Sequence, residues 1–239
     1  MRHLVADAFT SAGYHGRWAH PVEVVTDLDV GRLDDDERGI RRFSDDQGIA
    51  TGYADPGTHS LLPLEVEVTR RCTRALAQVQ RRHHDLLGPD GKVLVTIETE
   101  EGGRPRLRHV NVAIQHADGL GFDDLHRLVI PGLADTLDEL AATFDVPDHL
   151  DGSTLRLNGI GDFTCGGPRG DNGLSGKKLV VDHYGPHVPI GGGALCGKDV
   201  HKPDRVGALR ARQLAVELAR RTGSPALVHL GWLPGLEHP

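Results

Sequence analysis

The stretch GGPRGDNGLSGKKLVVDHYG (166–185), followed by GGGALCGKDVHKPDR (191–205), decides how this chain is read. Two glycine-rich segments flank KKLVVDHY (177–184), which reads as a short strand. Glycine lets backbone N–H groups approach a ligand closely, so the two segments suit either anion-cradling loops or ordinary turns. Neither is a Walker A loop, because Lys178 and Lys198 are followed by Leu and Asp rather than Ser or Thr. A helix is expected over 203–221, with Pro203 in its first turn and Gly223 as its C-terminal cap.

The lysines sharpen the anion reading. Of 27 basic side chains only five are lysine, namely Lys92, Lys177, Lys178, Lys198 and Lys202, and four of these fall between 177 and 202. Arginine carries the positive charge everywhere else. A compact ammonium and a planar guanidinium are not interchangeable at a tight site, so the clustering points to a common anion. Asp199 and Asp204 stand among these lysines. Carboxylates beside lysines on a polyphosphate site commonly hold Mg²⁺, which bridges phosphate oxygens. Asp204 also suits a helix-terminal cap, and both roles remain open.

Bulk composition bounds the rest. The chain has 239 residues, 38% hydrophobic content and only 4% aromatic residues, so a sizeable core must be built on Val, Leu, Ile and Ala. The net charge of -7 gives no reason to expect nucleic acid as a partner. Cys72, Cys165 and Cys196 form neither a disulfide framework nor a CxxC pair. No signal peptide or membrane span is read, so the expected setting is cytoplasmic.

Along the chain, PVEVVTDLD (21–29) alternates as a strand would, and an acidic, turn-rich stretch follows it. Residues 64–84 read as an amphipathic helix with Leu64, Val68, Cys72, Ala75, Leu76 and Val79 on one face. KVLVTIET (92–99) and RLRHVNVAIQH (106–116) read as two strands of a hairpin turning through EEGGRP (100–105). A helix over 123–145 is expected to break or kink at Pro131. TLRLN (154–158) and ALVHLGW (226–232) complete the strands. The order mixes α and β without a regular βαβ repeat, which is an α+β architecture.

The long glycine–lysine stretch resembles the methionine adenosyltransferases (S-adenosylmethionine synthetases). Their pattern there runs G-G-P-x-G-D-x-G-L-T-G-R-K-I-x-V-D-x-Y-G and then H-G-G-G-A-F-S-G-K-D-x-x-K-V-D-R-S. Upstream, DDQGIATGYA (45–54) resembles the family's G-D-Q-G-L-M-F-G-Y-A, and PDGK (89–92) its P-D-A-K. QH (115–116) resembles its strand-end pair, and SAGY (11–14) weakly its I-G-Y.

The resemblance implies a fold of small mixed sheets backed by helices, with 1–44 as a remnant of the family's N-terminal domain. It implies a central domain over 45–163 and a shortened C-terminal domain over 164–239. It implies formation of S-adenosylmethionine from ATP and methionine, assisted by Mg²⁺ and K⁺. By motif position Lys92, Lys178, Lys198 and Lys202 match lysines around ATP and its triphosphate, and Lys177 takes the place of a family arginine. Asp204 matches a Mg²⁺ ligand. Asp46, Asp90 and Asp171 match contacts to nucleoside and methionine, Phe163 the aromatic that stacks on adenine, and Ala194 a residue against the nucleotide.

The family's G-H-P-D-K motif, its second Mg²⁺-binding aspartate and its K⁺-binding glutamate have no counterpart in these 239 residues. Asp162 replaces a family arginine, Ile190 a histidine, and Leu195 and Cys196 a Phe-Ser pair. The expectation is one half of a split, dimeric or higher oligomeric enzyme, with a second chain supplying the missing segment. The alternatives are a regulatory relative that binds ATP or an adenosyl compound, and an enzyme of altered chemistry that processes tripolyphosphate.

Overall fold

The computed structural model of the chain describes residues 2–28, 31, 43–99, 105–141 and 154–239. Its secondary structure is mixed α and β with two small sheets. The chain packs as two units, one built from Met1–Asp27 and Val68–Asn172, the other from Leu28–Glu67 and Gly173–Pro239.

In the first unit, β2 (Leu87–Glu98) pairs antiparallel with β3 (Arg106–His116), and β4 (Leu155–Leu157) pairs parallel with β3. The register sets Lys92 opposite Ala113 and Val95 opposite Val110, with an irregularity between Leu87 and Gly91. Val110, Val112 and Ile114 alternate along β3 and are fully buried, as one face of a half-buried strand should be. Helix α2 (Leu64–Arg82) buries Val68, Cys72, Ala75, Leu76 and Val79, the face read from the sequence apart from its first residue. Helix α3 (Phe122–Ala141) buries Leu125, Val129, Leu133, Leu137 and Leu140 at helical spacing. The two helices meet where Gly132 leaves no room for a Cβ, which would stand 2.5 Å from Val79 Cγ2.

Helix α3 runs through Pro131 rather than ending there. Pro131 and Arg127, whose carbonyl loses its i+4 partner, are both exposed, so the break in the ladder falls on the solvent side of the helix. Helix α1 (Arg2–Ser11) was not legible in the sequence, and it buries none of its residues.

The second unit pairs β1 (Gly48–Ala54) antiparallel with β5 (Ala226–Trp232) in a two-stranded sheet. Helix α5 (Pro203–Thr222) lies on it through a stripe of small residues, Gly207, Ala208, Ala211, Ala215 and Ala219. The approach is close. A Cβ at Gly52 of β1 would stand 2.0 Å from the Ala211 carbonyl carbon, and one at Gly207 would stand 2.8 Å from Ala50 Cβ. Arg212 ties the same helix to β1 and the chain after it, donating to the carbonyls of Tyr53, Leu61 and Ser60. Pro203 occupies the first turn, and Gly223 takes a left-handed φ of 67° to return its N–H to Ala219 O, as the sequence indicated.

Two strand expectations fail. Residues 21–28 form no strand, and Val25 is 86% exposed, because alternation makes a strand only where another strand accepts its backbone bonds. KKLVVDHY contains instead the short helix α4 (Leu179–Asp182). Its backbone closes locally, with Asp182 N–H on Lys178 O at 2.9 Å and His183 N–H on Leu179 O at 3.1 Å. The turn 100–105 and the expected helix end at 142–145 lie outside the described residues, apart from Pro105. Among the described residues no helix is long and apolar enough to cross a membrane.

Burial pushes the Cys72 thiol up to about 11, while Cys165 and Cys196 are exposed. A pKa raised in the folded state contributes stability below the unfolded value and loses it as pH rises toward the folded one. Stability should therefore fall by about 2–3 kcal/mol between roughly pH 9 and 11 through this group alone. Urea titrations over that range should show a shallower fall in Cys72→Ala. Native alkylation should modify Cys165 and Cys196 and spare Cys72.

Candidate functional site

In the second unit the GGG turn and the first turn of α5 face each other. A Cβ at Gly193 would stand 2.0 Å from Asp204 Oδ1, so only glycine allows the turn to sit against this carboxylate. Asp204 Oδ2 accepts a hydrogen bond from Lys198 Nζ. The Lys198 carbonyl in turn accepts from Arg205 Nη1 at 2.5 Å. Lys202 caps the helix through its backbone position, and Asp204 makes no capping bond there. Of the two roles the sequence left open for Asp204, capping alone therefore fails. A carboxylate in the first turn is favoured by the helix dipole all the same.

Lys202 Nζ donates to Asp45 Oδ2, in the segment just before β1. Its affinity for its proton is raised, first by that hydrogen bond and the Asp45 charge, then by Asp46 and Asp199. Asp46 accepts the Gln47 N–H at 2.8 Å through its own carboxylate. A shallow cleft beside these groups is lined by Ile49, Ala50, Thr51, His183, Gly191, Gly193, Asp204 and Ala208.

The two glycine-rich loops are stapled to each other within this unit. Ser175 Oγ donates to Cys196 O at 3.0 Å, and a Cβ at Gly176 would stand 2.9 Å from Ala194 Cβ. Lys177 and Lys178 follow on this loop and are exposed. The structure thus gathers Asp46, Ala194, Lys198, Lys202 and Asp204 around the GGG turn, with Lys177 and Lys178 on the loop that packs against Ala194.

The remaining expected residues belong to the first unit. Asp90 Oδ2 accepts the Gly167 N–H at 2.7 Å. Gly167 has φ 61°, and a Cβ there would stand 2.3 Å from Tyr14 Oη. The Tyr14 hydroxyl holds its proton more firmly than usual, first through burial and then through the Asp90 charge. Asp171 N–H bonds back to Gly167 O at 3.1 Å, which brings it to the same turn. Lys92 lies two residues beyond Asp90 on β2 and is exposed.

Phe163 is held by its backbone. Its N–H donates to His116 Nε2 at 3.0 Å, and its carbonyl accepts the His116 N–H at 2.9 Å. His116 is 2% exposed, and its Nδ1 lies 3.0 Å from Ala117 O. Accepting at Nε2 and donating at Nδ1 fixes the neutral tautomer.

Tyr14 and His116 are parts of the site that sequence reasoning noted as letters without a role. Their signal lay in pairing, because Gly167 and Phe163 are their partners and lie 153 and 47 residues further on. Asp45 was missed for the same reason.

Comparisons with known proteins give the family. Residues 165–239 match the S-adenosylmethionine synthetase C-terminal domain, and residues 42–149 match the central domain of that family. The S-adenosylmethionine synthase of Nocardia farcinica is 40% identical over 202 residues, which span 82% of this chain and 48% of that protein. The one from Sulfurovum is 35% identical over 193 residues, spanning 80% of this chain and 48% of that protein. A solved structure of an unusual S-adenosylmethionine synthetase from Campylobacter jejuni superimposes with a TM-score of 0.82 at 26% identity, covering 98% of this chain and 61% of that one. The chain spans about half the length of the curated relatives it matches.

Replacing His116 by Phe removes the acceptor for the Phe163 N–H without emptying the space. An amide left unpaired there should cost about 1–3 kcal/mol in a urea titration. His116→Asn, which retains an acceptor, should recover part of that loss.

Proposed function

This chain belongs to the S-adenosylmethionine synthetase family, and we propose that it takes part in forming S-adenosylmethionine from ATP and methionine. The methionine sulfur attacks C5′ of ATP. A C–S bond forms, the C5′–O bond breaks, and its electron pair leaves with tripolyphosphate. Water then splits tripolyphosphate into phosphate and diphosphate. The observation that carries this proposal is the Gly193–Asp204–Lys198 contact, a glycine-only turn against a carboxylate and an ammonium.

Catalysis on such a leaving group is largely orientation and charge compensation. Lys178, Lys198 and Lys202, with Lys92, supply the ammonium charges for the triphosphate, and Lys177 adds another. Phe163 offers its ring to adenine from a backbone that His116 holds in place. Asp90, Asp171 and Asp46 take polar atoms of the nucleoside and methionine, and Ala194 lies against the nucleotide. Residues 45–163 and 164–239 serve as the central and C-terminal domains of this arrangement.

Among the described residues no group of three or more His, Cys, Asp or Glu side chains is placed to hold a metal. Asp204 offers one carboxylate at the edge of a cleft. Mg²⁺ is commonly bound by one or two carboxylates together with substrate phosphates and water, so this donor set fits Mg²⁺ carried on polyphosphate. When bound it would offset the charge on the polyphosphate oxygens. The glutamate that the resemblance ties to K⁺ has no counterpart in this sequence, and no step is assigned to K⁺.

We further propose that a second chain carrying a G-H-P-D-K segment completes the enzyme in a dimer or higher oligomer. The outward side of the β1–β5 sheet supports this, because Ile49 is 66% and Leu227 46% exposed there.

The test is product formation from ATP, methionine, Mg²⁺ and K⁺, with this chain alone and with a chain bearing that segment. S-adenosylmethionine should appear in the mixture and be lost by roughly 100-fold or more in Lys198→Ala and Lys202→Ala with the fold retained. Undiminished product in both variants would remove the lysines from the reaction. Product from the chain alone would remove the need for a second chain.

A further inference from the structure

Lys202 is held by a carboxylate from a distant part of the chain. Asp45 belongs to the DDQG segment (45–48) that leads into β1. Its Oδ2 accepts from Lys202 Nζ across 157 residues of sequence, so the pair is a tertiary contact and not a neighbour effect within one helix. The segment that delivers Asp45 is ordered by its own bonds. Ser44 N–H donates to Leu236 O at 2.9 Å, Gly235 N–H donates to Ser44 O at 2.8 Å, and Ser44 Oγ donates to Asp46 O at 2.5 Å.

The contrast with Lys198 is instructive. Its partner Asp204 lies six residues further along the same segment and is wedged against Gly193. Asp45 reaches Lys202 from outside that segment, and the charges of Asp46 and Asp199 act on the same ammonium. A carboxylate and a phosphate oxygen ask for the same donor, and an ammonium has three protons to give. Both side chains are partly exposed, at 45% for Lys202 and 30% for Asp45, so the ammonium is within reach of a ligand.

We infer that Asp45 is an internal competitor for Lys202, a specificity-determining residue whose carboxylate takes the ammonium that a polyphosphate oxygen would otherwise take. It weakens binding of bare polyphosphate most. Polyphosphate whose charge is already offset by a divalent cation suffers less repulsion from the same carboxylate. The inference rests on the assignment of Lys202 to polyphosphate.

Calorimetric titration of the full chain with inorganic tripolyphosphate, with and without Mg²⁺, tests it. Asp45→Gly and Asp45→Asn should each tighten binding by roughly three- to tenfold, the scale of one partly exposed charge contact. The gain should be larger without Mg²⁺ and should shrink when Asp45→Gly is combined with Lys202→Ala. Unchanged or weaker binding in both Asp45 variants would overturn the inference, as would an equal gain in the Lys202→Ala background. If Lys202→Ala alone binds as tightly as the parent chain, the polyphosphate assignment falls and the inference with it. If Lys202→Ala weakens binding and Asp45→Asn changes nothing, the assignment stands and only the inference is lost.

Discussion

Helix α5 approaches β1 so closely that neither surface tolerates a larger residue at the contact. The Gly52–Ala211 contact fixes the height of the helix above the strand, and Gly207 against Ala50 fixes its rotation. Packed interiors resist such changes, because overpacking forces backbone movement rather than a local adjustment. With the helix so held, its first turn falls where Asp204 meets Gly193, and the preceding residues carry Lys198 and Lys202 to the same edge. Small residues at the centre of the unit thus determine where charged residues at its rim can stand.

The charges at that rim form pairs rather than a bare cationic patch. Lys198 is paired with Asp204, and Lys202 with Asp45. Partly exposed pairs of this kind contribute about 0–1 kcal/mol to folding. Their importance is therefore at the site: Asp204 holds the Lys198 ammonium in one place with further protons to donate, while Asp45 competes for that of Lys202. Arginine could not replace it without bringing a broad planar head into a turn built from glycine.

The first unit uses the opposite physics. His116 is buried and neutral, and it positions Phe163 through two backbone bonds on one side of the ring-bearing residue. Asp90 holds the Gly167 N–H, while Tyr14 closes over the same glycine. These are partly buried contacts to backbone N–H groups, and a hydrogen bond left unmade there costs more than a partly exposed ion pair contributes. One unit thus shapes its residues by hydrogen bonds to backbone, the other by ion pairs.

Sequence by itself determined the amphipathic face of α2, the presence of α3, the β2–β3 pair, the caps of α5 and the gathering of four lysines within 26 residues. Each follows from local period or spacing, where a residue type has one physical use. Sequence also carried the long motif that points to the family. Tertiary structure alone decided the fate of 21–28 and 177–184, because a strand exists only if a neighbour takes its backbone bonds. It alone decided that Asp204 meets Lys198 instead of capping, that Asp45 reaches Lys202, and that Tyr14 and His116 serve Gly167 and Phe163. Asp45, Tyr14 and His116 meet partners 47 to 157 residues away. The distance along a chain says nothing of the distance across a fold until packing has fixed it.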